Sequence, residues 1–148
     1  IGQNFGARKF DRVVQTLKDG LLFSAVYTLL MSSLLFLFRH QIAEAFRASG
    51  RTIDIVVFFC TFIGISWAFA GAQFVANAAF NNLGRASLSS WFNWGKATLG
   101  TIPFALAGQK FAGAEGVLAG TGIGSVIFGI ASVVTAFRII GRITAKGG

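Results

Sequence analysis

Charge is what this sequence has least of. Of its 148 residues only 12% are charged, where a water-soluble domain is nearer about a quarter. The acids are five, Asp11, Asp19, Glu44, Asp54 and Glu115, all outside the long apolar stretches or at their edges. No paired carboxylate, Ser–His–Asp set or metal-ligand spacing appears inside those stretches, so an enzyme is not expected. Cys60 is the single cysteine, which excludes an intrachain disulfide and a thiolate metal cluster. His40 is also alone, beside Arg39 at the end of an apolar run, where an interfacial polar residue is the plain reading. Proline occurs once, as Pro103.

What is present is grease. Hydrophobic residues make up 54% of the chain, mean hydropathy is +0.68, and there are 17 Phe and 19 Gly. Residues 55–84 run for thirty positions without a charged side chain. A helix of that length exceeds the roughly 20 residues that a bilayer crossing needs. Residues 20–38 and 116–137 are likewise uncharged, and 88–109 is broken only by Lys96. The fold expected is therefore all-α, a polytopic transmembrane bundle with spans at about 20–38, 55–83, 88–108 and 116–137. Membrane lipid is its first partner.

Ahead of the first span, Phe10, Val13, Val14 and Leu17 fall at i, i+3, i+4 and i+7, with Asp11, Arg12, Gln15 and Lys18 elsewhere on the wheel. That pattern fits a short amphipathic helix lying in the interface, or a solvated extension of the span that follows. Ile1–Ala7 looks like the end of a preceding helix. The opening Ile1-Gly2-Gln3-Asn4 carries no initiator Met and no leader, as a piece of a longer chain would. Pro103 predicts a kink in the third span, and Ala112-Gly113-Ala114-Glu115-Gly116 a tight turn.

The formal charge of +8 is spread between spans rather than gathered beside exposed aromatics, which points to topology and anionic headgroups, not nucleic acid. Arg8, Lys9, Arg12, Lys18, Arg85, Arg138, Arg142 and Lys146 fall on one side; Arg39, Arg47, Arg51 and Lys110 fall on the other. The richer side is expected to be cytoplasmic, with the C-terminus there and the chain in the cell inner membrane.

Few residues inside the spans carry chemistry. Gln73, Asn77 and Asn81 recur every four residues along one face of the second span. Buried amides are costly in lipid unless they meet other helices or water, so the stripe is expected to face inward, as glue or as the lining of a passage. On the third span Trp91 and Trp94 read as interface anchors, Asn93 lies beside them, and Lys96 must either snorkel to the surface or face a polar cavity. Gly116, Gly120 and Gly124 form a smooth ridge for close helix packing, extended by Ser125 and Gly129. The embedded Gly120-x-Gly122-x-Gly124 lacks the strand, the Lys-Ser/Thr and the later acid of a nucleotide loop.

Several strings, in this order, resemble the C-terminal half of the multidrug and toxic compound extrusion (MATE) transporters. They are Ile1-Gly-Gln-Asn-Phe-Gly-Ala7, Gln73-Phe-Val-Ala-Asn77 running into Asn82-Leu-Gly-Arg85, Asn93-Trp-Gly-Lys96 leading to Ile102-Pro103, and Gly113-Ala-Glu-Gly-Val117. The resemblance implies that the four spans are the last helices of a twelve-helix antiporter, whose N-terminal lobe lies outside this sequence. It implies export of drug-like compounds, small organic cations among them, coupled to Na+ or H+ and using no cofactor. Gln73, Asn77, Asn81, Asn93, Trp94 and Lys96 would then line the substrate pathway. The alternatives are an exporter of lipid-linked saccharides with the same overall fold, and a channel-forming or structural membrane subunit.

Overall fold

A computed structural model describes residues 1–147. Helix α1 (Gly2–Gly6) is a single turn at the base of the bundle. Helix α2 (Phe10–Leu37) is the first span, and the short α3 (Arg39–Ala45) follows it. The second span is α4 (Arg51–Phe58), a π-helical turn (Phe59–Ile63) and α5 (Gly64–Asn82) in one uninterrupted rod. Helix α6 (Ala86–Gly95) and a second π-helical turn (Lys96–Gly100) begin the third span. Helix α7 (Ile102–Gly147) completes the third span and supplies the fourth, because Ala112 and Gly113 break its helical geometry.

That break is a reversal. Gly113 adopts φ +59, a left-handed conformation that costs glycine little. Beyond it the two limbs, 102–111 and 114–147, fold back on one another. A Cβ on Gly116 would strike the Gly108 carbonyl, one on Gly120 the Phe104 carbonyl, and one on Gly124 the Gly100 carbonyl. The ridge at every fourth residue therefore lets two backbones touch along an antiparallel hairpin. In lipid, close packing of small residues replaces the missing hydrophobic drive.

Three helical runs are long and apolar enough to cross a bilayer, Phe10–Leu37, Arg51–Asn82 and Ala86–Ala145. Counting the hairpin as two, the bundle has the four spans expected. Their ends differ in detail. Residues 10–18 do not form a separate interfacial helix; they are the first turns of α2, and Val13 and Leu17 are fully buried against neighbouring helices. The second span begins at Arg51, and the fourth continues past Phe137 to Gly147. Pro103, which has no N–H to offer, follows directly on the wide turn at Lys96–Gly100, where the Thr101 hydroxyl donates to the Lys96 carbonyl at 2.9 Å.

The second span is central and packs on the other three. Gly20 meets Val75, Ser24 meets Gly71 and Ser32 meets Gly64, so the first span is antiparallel to it. Asn93 bonds to Asn77 and Phe92 stacks on Phe80, which makes the third antiparallel as well. Gly122 meets Ser66 and Gly129 meets Phe69, so the fourth runs parallel to the second.

This register locates the membrane. Lys18, Asp19, Trp94 and Arg138 all fall level with residues 76–78 of α5, and Trp91 with residue 79. At the opposite end the same registers put Arg39, Lys110 and Glu115 level with residues 56–59 of the second span, and Arg51 pairs with Glu115 at 3.4 Å. About 20 residues separate the two levels, which at 1.5 Å per residue is ~30 Å, the thickness of a hydrocarbon core. The densest packing lies at and beyond the first level, where Val13, Leu17, Ala76, Ala79, Phe80, Leu83, Ala136, Ile139 and Ile140 form one buried cluster. That end carries exposed Arg and Lys, as a surface in water does, and in water the hydrophobic effect presses such a cluster together.

Candidate functional site: an amide seam at one membrane boundary

Where the second and third spans meet at the first level, three amides converge. The spacing of Gln73 and Asn77, one helical turn apart, puts both on the face of α5 that meets α6. Gln73 is 2% exposed and Asn77 is 6% exposed. Asn77 Nδ2 donates to Asn93 Oδ1 at 2.8 Å. Gln73 Nε2 donates to the Phe92 carbonyl at 3.2 Å and reaches the same Asn93 oxygen at 3.4 Å. The Phe80–Phe92 stack, with centroids 5.6 Å apart, closes the seam on its watery side.

Donors and acceptors do not balance. Both amides of α5 bond through their nitrogens, and Gln73 Oε1 and Asn77 Oδ1 stay buried without a partner. An unpaired buried acceptor costs about 1–3 kcal/mol. A donor arriving at the seam relieves that cost, whether water or a polar group of a ligand. The arrangement leaves two acceptors free for hydrogen-bond donors; it holds no nucleophile, and no group of three or more His, Cys, Asp or Glu among the described residues could hold a metal ion.

Lys96 shares the face of Asn93 and Phe92, at i+3 and i+4, one turn further into the membrane. It is half-buried. Among the described residues the sole ion pair is Arg51–Glu115 at the far end, so Lys96 has no carboxylate partner there. The boundary lies only a few ångströms away, within reach of a lysine stem.

Two expected site residues stand apart. Asn81 is exposed on the watery side of the boundary and makes no contact with the seam. Trp94 is 72% exposed on the opposite side of the third span, with Trp91 beside it at 73%. Both therefore fit the interface-anchor reading rather than a place with the amides. Sequence reasoning did not foresee the π-helical turn that begins at Lys96, although Gly95, Gly100 and Pro103 cluster around it. Ser32 was also overlooked: its hydroxyl is buried beside Gly64, next to the first π-helical turn, with no partner.

The MatE family matches this chain over residues 1–107. Among curated proteins none matches. The crystal structure of the Vibrio cholerae MATE transporter VcmN in the bent form superposes with a TM-score of 0.87 at 20% identity, covering 97% of this chain and 33% of that one. An aspartate-to-asparagine mutant of the same transporter gives 0.85 at 19% identity, covering 94% and 32%. The chain thus spans about a third of the length of the solved proteins it matches.

Proposed function

The chain belongs to the MatE family, and from that premise we propose that it forms most of the C-terminal lobe of a cation-coupled antiporter exporting drug-like organic compounds. The observation that carries this reading is the amide seam. Two buried oxygens without donors lie on the helix that every other span touches, and they leave hydrogen-bonding capacity that uniform apolar packing would not. Its level, at the end rich in Arg and Lys, supports reading it as the cytoplasmic mouth of the pathway under the positive-inside rule. The protein would sit in the cell inner membrane with its C-terminus in the cytoplasm.

In this account Gln73, Asn77 and Asn93 offer hydrogen bonds to the entering compound, and Lys96 stands one turn beyond them. Small organic cations would find no carboxylate on this part of the pathway, because the acids of these residues lie at the two membrane boundaries or outside them. Their charge, and the coupling Na+ or H+, would then be met by an N-terminal lobe. No catalytic step is assigned to the protein.

The test uses the intact protein in a host lacking its own efflux pumps. Gln73→Ala and Asn77→Ala, expressed at wild-type level, should lose most drug resistance and dye efflux, while Asn81→Ala should keep both. Unchanged resistance in the two seam variants would remove the site.

A further inference from the structure

The outer side of the third span has a polarity gradient that the amide seam does not use. Ser87, Ser90, Trp91 and Trp94 line an open groove of about 510 Å³. It faces away from the second span, which meets Phe92 and Asn93, and from the fourth, whose Phe128 sits over Gly95 and Gly100. Both indoles are exposed and level with the membrane boundary. On the watery side of them stand the two serine hydroxyls and then Arg85, also exposed. On the hydrocarbon side Leu99, Ile102 and Leu106 continue as exposed apolar side chains.

We propose that this groove is a binding site for one anionic glycerophospholipid. The order along the helix (cation, hydroxyls, indoles, aliphatics) is the order of phosphate, glycerol and ester groups, and acyl chain in a lipid at the same depth. Indoles favour the ester level, and arginine with hydroxyls favours phosphate. Charge selects the anionic class. Arg8, Lys9, Arg12, Lys18, Arg85, Arg138 and Arg142 are all exposed at this end, against Asp11 and Asp19 alone. A zwitterionic headgroup would leave that excess unmatched.

The experiment takes the intact protein into nanodiscs of phosphatidylglycerol or phosphatidylcholine and reads retained lipid by native mass spectrometry. Wild type should keep phosphatidylglycerol in preference, Arg85→Lys should keep that preference, and Arg85→Gln with Ser87→Ala and Ser90→Ala should lose it. A second readout does not depend on the triple variant folding. The tryptophan emission removed by Trp91→Phe with Trp94→Phe should be quenched more by brominated phosphatidylglycerol than by brominated phosphatidylcholine. An equal preference in wild type and the triple variant would overturn the proposal. So would equal quenching by the two lipids, or an indole pair that neither lipid quenches because another segment covers it.

Discussion

Asn93 holds the seam together because one oxygen serves two donors. Truncating it leaves the Asn77 amide nitrogen, on a residue only 6% exposed, without its partner. Asn93→Ala should therefore destabilise the folded protein by about 1–3 kcal/mol, seen as a lower thermal midpoint in detergent. Ser32 gives the opposite case. Its buried hydroxyl has no partner to lose, so Ser32→Ala removes an unsatisfied group and should leave the midpoint unchanged or raise it. A marked loss of stability in Ser32→Ala would mean that the hydroxyl has a donor or acceptor in the membrane.

At the scale of elements, the glycine hairpin and the watery core hold the bundle by different means. Any side chain at Gly108, Gly116 or Gly120 would displace a carbonyl on the facing limb, so Gly116→Val should separate the limbs and abolish accumulation of folded protein. Gly141 has open space at its Cβ position. Gly141→Ala should be tolerated, with a gain of up to about 1 kcal/mol from the stiffer unfolded chain. In the watery core Leu17 is 0% exposed, and Leu17→Ala should cost about 2–5 kcal/mol. The same substitution in a lipid-facing residue such as Leu30, 58% exposed, should cost far less, since lipid refills the space. Thermal unfolding in detergent separates these outcomes.

The elements also show what was legible in the residues. The Gly116–Gly120–Gly124 period gave both the ridge and its use, because close packing in lipid leaves few other roles for glycine at that spacing. Gln73 and Asn77 were legible as an inward stripe, but Asn93 as their shared partner was not, since only the antiparallel register of two helices brings it there. Asn81 continues the stripe by spacing and leaves it in fact, because the membrane boundary falls between it and Asn77. The amphipathic pattern at Phe10–Leu17 does not specify what its apolar face meets; α5 and α7 cover that face and make it core. No period in the sequence records the two π-helical turns.

On the scale of the whole molecule, the account depends on one membrane position. The bundle crosses four times, stands out of the lipid by about two to three turns at its basic end, and sets its amide seam level with that boundary. Cysteine accessibility tests this most directly, in the intact protein with Cys60→Ser, using a membrane-impermeant maleimide on sealed cells and on inverted vesicles. Cysteines replacing Asn81, Ser87 or Arg142 should react only in inverted vesicles, those replacing Ser49 or Ala114 only in sealed cells, and those replacing Trp67 or Ile127 in neither. Labelling of Asn81 and Ser49 replacements from the same side, or ready labelling at Trp67, would contradict it.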